Sequence, residues 1–110
     1  MVLRALSTAR VSRLQRVLDS YDRNEVWLRV TNVFRLEGQA SQVTFEPVDA
    51  AGRVIPDRVG RKRRHTFQAA FPLTQLVPRQ VVFLAREGVD VRLHILPTGH
   101  APGSRATAPR

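Results

Sequence analysis

The side chains with the clearest chemistry are the basic residues between positions 53 and 64, in the run RVIPDRVGRKRR. This run sets six basic residues against the single acid Asp57. Like charges this dense repel one another unless an anion compensates them, and guanidinium groups pair with phosphate through a planar fork. Because Pro56 and Gly60 disfavour a helix or strand, the run predicts a projecting, mobile loop. The candidate nucleic-acid-binding residues here are Arg53, Arg58, Arg61, Lys62, Arg63, Arg64 and His65.

The charge of the whole chain points to the same kind of partner. Eighteen basic residues face nine acidic ones in 110 residues, for a formal net charge of +9. A small basic domain typically has a polyanionic partner, most often nucleic acid. Arginine supplies every basic residue except Lys62, a bias that GC-rich coding also produces. The alternative for residues 53–64 is a solvated charge run or a sorting signal.

Side chains suited to catalysis or metal binding are few. The histidines are His65, His94 and His100, and the acids close enough in sequence to pair are Glu46, Asp49 and Asp57. No metal-ligand spacing, general base or oxyanion motif accompanies them. The absence of cysteine excludes thiolate zinc sites and cysteine nucleophiles. We therefore expect no enzyme, no cofactor and no small-molecule substrate, and no membrane partner because no apolar run approaches ~20 residues.

The first element that would position the basic loop is a helix, predicted over residues 8–22. Apolar side chains recur there at helical spacing and share one face, namely Val11, Leu14, Val17, Leu18 and Tyr21. The first eighteen residues contain Arg and Ser but no acid, which is also typical of a mitochondrial presequence. We favour a mature helix because the stripe runs unbroken into Tyr21. We expect a cytoplasmic protein, bacterial or phage-encoded; a presequence would instead indicate mitochondria.

The run at residues 26–39, VWLRVTNVFRLEGQ, is the most strand-like part of the chain. Apolar positions 26, 28 and 30 alternate with Trp27, Arg29 and Thr31, as in a half-buried strand. Asn32 interrupts the alternation and predicts a tight turn between two antiparallel strands. Trp27 and Arg29 share the outward face, where either could stack on a base, so both join the candidate nucleic-acid-binding residues. For Trp27, a place in the core or in an interface is equally open.

Further apolar runs complete the predicted scaffold. Strands are expected at 41–48, 65–71 and 73–77, and a hairpin joins 80–86 to 89–96 through Glu87 and Gly88. Leu28 and Val82 are candidate sheet edges. The phenylalanines assigned to the core are Phe34, Phe45, Phe67, Phe71 and Phe83.

These elements define the predicted fold class, which is α+β and mainly β. The N-terminal helix precedes a small antiparallel β-barrel of five to seven strands over residues 25–96, Sm-like, SH3-like or OB-like. The basic loop occupies residues 49–65, and residues 1–96 form a single domain. Residues 97–110 are rich in Pro, Gly, Ser and Thr and predict a disordered tail.

Two segments resemble a known family. Residues 30–39, VTNVFRLEGQ, carry an Asn-led turn and then an apolar, basic, Leu, polar and Gly pattern, and residues 73–78 read LTQLVP. Together with the order of elements they resemble the Sm-like (bacterial Hfq-type) RNA-binding fold. The resemblance implies RNA binding by a homo-oligomeric ring, with the basic run between the third and fourth strands. The chain departs at Val33, where the family has a turn glycine. It departs again at residues 69–71, where Ala-Ala-Phe stands in place of the Tyr-Lys-His that holds uridines.

The expected function is therefore a basic nucleic-acid-binding module that prefers single-stranded RNA over DNA. Its phosphate contacts should weaken steeply with salt. The alternative is a structural or assembly subunit, such as a homo-oligomeric ring or a virion or ribosome-associated component. In that alternative the basic charge serves an acidic partner.

Overall fold

The computed structural model describes residues 14–35, 37–38, 41–70, 73–99 and 102, and the backbone of residues 7–10. Its strands are β1 (Ser7–Arg10), β2 (Glu25–Phe34), β3 (Ser41–Val48), β4 (His65–Ala69), β5 (Val81–Glu87) and β6 (Asp90–Ile95). One short helix, α1 (Gln15–Ser20), follows β1 in the chain. The strands form a single sheet in the order β1-β6-β5-β2-β3-β4, with every neighbouring pair antiparallel. The protein is mainly β, as predicted.

The sheet is a curled half-barrel with two edges. Among the described residues β1 and β4 each pair on one side only, and no pairing joins them to each other. Closure into a barrel, which we predicted, is therefore not shown. The predicted edges at Leu28 and Val82 are wrong, because these residues pair with each other in the interior strands β2 and β5.

One face of the sheet carries the core, because side chains alternate between the two faces of a strand. The largest side chains buried completely are Leu14, Leu18, Leu28, Phe45, Leu76, Leu84, Leu93 and Leu96. The helix α1 contributes Val17 and Leu18 to this core. Burying one such leucine stabilises the fold by about 1.5–3 kcal/mol. The side chains on this face are thus buried in the core and stabilise the fold. We call the opposite face of the sheet the outer face.

The predicted helix at 8–22 is wrong in its N-terminal part. Residues Ser7–Arg10 form β1 and pair with β6, and the helix itself spans only Gln15–Ser20. Pairing with β1 satisfies backbone groups of β6 that would otherwise form an open edge. The predicted apolar stripe is buried at Leu14, Val17 and Tyr21, whereas Val11 lies outside the described residues.

The predicted turn at Asn32 is also wrong. Strand β2 continues through it to Phe34, and its pairing with β3 shifts between Val30 and Asn32. Such a bulge adds a residue to one strand and bends it without ending it. The chain turns instead at residues 37–38, before β3 begins.

The C-terminal half of the chain is partly as predicted. The hairpin is confirmed with its turn moved by one residue, since Glu87 pairs with Asp90. The strand predicted at 73–77 is wrong, because residues Leu73–Gln75 form a 3₁₀ turn. Leu73 and Leu76 are both buried, and a spacing of three places both on one side of a 3₁₀ turn, whereas in a strand they would point to opposite faces.

The phenylalanines divide between the core and the surface. Phe45 is fully buried and Phe67 packs against the core, as predicted. Phe34 is 48% exposed, and Phe83 lies half-buried on the outer face, so their assignment to the core is wrong. Phe71 lies outside the described residues, as do residues 100–101 and 103–110 of the predicted tail.

Candidate functional site

Two five-residue loops share one sequence pattern: residues 49–53, DAAGR, which end on the first residue of the basic run, and residues 57–61, DRVGR, which lie within it. In each loop an Asp carboxylate oxygen accepts hydrogen bonds from the backbone N–H groups of the third and fifth residues, at 2.9–3.0 Å. The backbone N–H of the Asp donates to the carbonyl of the fifth residue at 2.8 Å. The fourth residue has a φ of 82° in Gly52 and 86° in Gly60, which favours glycine. The Asp-x-x-Gly-Arg pattern thus sets the loop conformation and ends each loop on an arginine.

The second loop packs against the domain. Its Asp57 is 6% exposed, and the Arg58 N–H donates to the carbonyl of Ser20 at the end of α1, at 2.9 Å. Just before it, the buried Ile55 donates its N–H to the carbonyl of Pro47 in β3 at 3.1 Å. The prediction of a projecting loop is therefore wrong for residues 55–58. Because these residues pack against β3 and α1, the basic side chains that come after them in the chain project from a segment held in place.

The basic side chains line a groove beside β3. The groove has a volume of about 540 Å³ and is lined by Glu46, Arg53, Val54, Lys62, Arg63 and Arg64. Four of these six residues are cationic and one is acidic, so the lining has a net positive charge. All four basic residues are exposed, so a bound anion can reach their charged groups. We call this feature the basic groove.

Arg29 fixes the acidic member of the basic groove. Its Nε and Nη2 both donate to Glu46 Oε1, at 2.9 and 2.5 Å, and its Nη1 donates to the Gly52 carbonyl at 3.0 Å. Arg29 thereby ties β2 to β3 and to the loop at 49–53. The other carboxylate oxygen of Glu46 lies 3.7 Å from Arg64 Nε. Because three protein contacts engage its guanidinium, Arg29 acts here as a positioning residue.

Trp27 lies on the outer face, as predicted. It is half-buried and pairs across the sheet with Phe83 of β5, with 4.8 Å between the ring centroids. A cleft of about 180 Å³ opens beside the two rings and includes Val48 and Asp49 in its lining. The aromatic pair and the basic groove thus flank the loop at 49–53.

His65 lies on the other side of the sheet from the basic groove. It pairs with Phe45 of the core, and its Nε2 is 3.1 Å from the hydroxyl of Tyr21. Burial lowers the pKa of His65, the charge of Arg63 lowers it further, and Asp57 opposes both. Burial, followed by the charge of Asp57, raises the pKa of Tyr21. His65 therefore tends to be neutral near pH 7, which argues against its predicted role as a phosphate-binding cation.

The structure brings together part of the predicted site. Arg53, Lys62, Arg63 and Arg64 line the basic groove, whereas Arg58 and Arg61 are exposed on the second loop and are absent from its lining. Sequence reasoning missed Glu46, Val54 and Phe83. The outward position of Glu46 in β3 and the repeated Asp-x-x-Gly-Arg pattern were available signals for the groove.

The described part of the chain also bears on metal binding and membrane insertion. No group of three or more His, Cys, Asp or Glu side chains there is arranged to hold a metal ion. No helix among those residues is both long and apolar enough to span a membrane. No protein-family model, curated protein or solved structure matches this chain.

Proposed function

We propose that this protein binds single-stranded nucleic acid, with RNA preferred, through the phosphates held in its basic groove. The observation that supports the proposal is the clustering of Arg53, Lys62, Arg63 and Arg64 around one open groove in a chain of net charge +9. Guanidinium groups match phosphate oxygens through paired hydrogen bonds, and lysine adds a compact charge.

The groove suits a chain of phosphates better than one small anion. Its four cationic side chains are all exposed around an open groove, so more than one phosphate can contact them. Such an arrangement follows a backbone by electrostatic attraction, as single-strand binding proteins do. The preference for RNA rests on the resemblance of residues 30–39 and 73–78 to the Sm-like family.

The experiment is a salt series of binding measurements with single-stranded RNA, single-stranded DNA and duplex DNA, read by fluorescence anisotropy. The test variant replaces Arg53 and Lys62 with Ser. We expect it to weaken binding and to reduce the slope of log K against log salt by about 1.4, because each lost phosphate contact on a single strand removes about 0.7.

The matched control removes the same charge elsewhere, by replacing the exposed Arg16 and Arg79 with Ser. Both residues are absent from the groove lining, so the control should retain most of the wild-type slope and affinity. Equal losses in both variants would reject the groove as the binding site. No binding to any of the three polymers at low salt would reject the nucleic-acid function itself.

A second candidate function, assembly into a homo-oligomer or larger particle, is favoured by the sheet edges. Strands β1 and β4 each have one unpaired side among the described residues, and open edges are sites where another chain can add a strand. Sedimentation of the protein over a concentration series tests this candidate. A discrete oligomer would support it, and a monomer at the highest concentration would reject self-assembly.

A further inference from the structure

Three aromatic side chains form a row across the outer face. Trp27 of β2 pairs with Phe83 of β5, and Phe83 pairs with His94 of β6. The ring centroids are 4.8 Å apart in the first pair and 6.0 Å in the second. All three residues are half-buried, whereas their neighbours on the core face, such as Leu28 and Leu84, are fully buried. We call Trp27, Phe83 and His94 the aromatic row.

The aromatic row and the basic groove lie on the same face. Trp27 is two residues from Arg29 along β2, and Arg29 holds Glu46 of the groove. Neighbouring strands are about 4.8 Å apart, so one strand spacing separates β2 from the groove wall on β3. A polymer of about nucleotide dimensions can therefore contact both features at once.

Charged side chains lie at both ends of the aromatic row. At its outer end, His94 Nε2 lies 3.0 Å from a carboxylate oxygen of Glu87, which is half-exposed. At its inner end, Trp27 adjoins Arg29 and the groove. Glu25 and Asp49 also line the cleft beside Trp27, so phosphates are favoured over the cations of the basic groove and not over the aromatic row, while bases, which are uncharged, can occupy the aromatic surface.

We infer that the aromatic row is a stacking surface for the bases of a single-stranded nucleic acid whose phosphates occupy the basic groove. This inference rests on the proposed function and adds to it the surface that contacts the bases. Stacking on aromatic side chains tolerates any base and requires unpaired bases, so the row explains a preference for single strands over duplexes. The net charge of +9 favours a polyanion over an apolar protein segment as the occupant.

The test uses Trp27, the only tryptophan in the chain, as its own reporter. The wild-type protein is titrated with hexauridylate RNA and with an abasic phosphodiester strand of the same length and charge. We expect the RNA to quench the emission of Trp27 and the abasic strand to bind without quenching it. Replacing Phe83 with Leu should raise the Kd for the RNA about tenfold and leave the Kd for the abasic strand unchanged.

The matched control is Phe34→Leu, which removes a 48% exposed phenylalanine at the far end of β2 and should change neither Kd. Equal changes in emission with both strands, or equal effects of the two Leu variants, would overturn the stacking surface while the groove proposal stands. If anisotropy shows that neither strand binds, the proposed function itself fails. If the Phe83 variant does not fold by circular dichroism, the comparison of the two strands on the wild-type protein decides.

Discussion

The loops at residues 49–53 and 57–61 have the same sequence pattern and the same internal hydrogen bonds, but their surroundings differ. Asp49 is partly exposed, and its loop connects β3 to the rest of the basic run. Asp57 is 6% exposed, lies 3.7 Å from Arg63, and belongs to a loop that bonds to the end of α1. Local sequence sets the conformation of both loops, and tertiary packing sets how much each contributes to the fold.

The difference also bears on the basic groove. The first loop ends on Arg53, which lines the groove directly, and the second loop precedes the basic residues 62–64. Because the second loop is anchored by a buried carboxylate, the positions of those side chains depend on Asp57. One repeated pattern thus serves once as a short connection and once as the base of the candidate site.

The largest expected effect is that of Asp57→Ala compared with Asp49→Ala. Loss of Asp57 leaves two backbone N–H groups of a packed loop without their acceptor and removes the partner of Arg63. Water can replace the carboxylate more easily at the partly exposed Asp49. We expect the melting temperature to fall by roughly 10 °C for Asp57→Ala and roughly 4 °C for Asp49→Ala.

Thermal unfolding followed by circular dichroism measures both changes. Asp57→Asn is the control, because the amide oxygen can still accept the N–H bonds while the charge is lost; it should lie between Asp57→Ala and wild type. Equal decreases for the two Ala variants would mean that the packing around the second loop adds no stability.

The next effect tests what the loops share. Gly52→Ala and Gly60→Ala should each lower the free energy of unfolding by about 1–2 kcal/mol, since both force a residue with a Cβ into positive φ. Neither position is crowded: a Cβ at Gly52 would have only contacts at 3.9 Å, and one at Gly60 would meet nothing within 4 Å. Urea titrations give the two values, and Asn at either position should cost less than Ala. Clearly unequal Ala values would show that the two loops do not share one backbone conformation in solution.

Sequence patterns predicted the local parts of the fold and missed the long-range ones. The alternation in residues 41–48 and the paired runs of the C-terminal hairpin are visible in short windows, so β3, β5 and β6 were found. Strand β1 was read as helix because its pairing partner, β6, lies more than 80 residues away in the chain. Pairing at that distance leaves no periodic signal in residues 7–10.

The candidate site was predictable to a similar degree. The charge of residues 53–64 marked the basic groove, because clustered cations are plain in the sequence. The burial of Asp57 and the contact of Trp27 with Phe83 depend on packing and on strand register, which composition does not contain. Phe83 was assigned to the core because Val81, Val82 and Leu84 beside it are all apolar, and they are indeed buried.

The smallest expected effect is a dependence of stability on pH from His65 of β4, whose pKa responds to Asp57 of the second loop and to the nearby Arg63. Burial and the charge of Arg63 lower the pKa of His65 in the folded protein, while Asp57 opposes them and Tyr21 contacts the ring. The unfolded chain therefore binds the proton at higher pH than the folded chain. The stability that neutral His65 provides is complete above its ordinary pKa of about 6.5 and is lost as pH falls through the lowered value.

Urea titrations between pH 5 and pH 8 should show stability rising with pH, by less than the one-proton slope of about 1.4 kcal/mol per pH unit because the ring is half-exposed. His65→Gln should flatten this rise, and a rise of the same size in that variant would assign it to other groups.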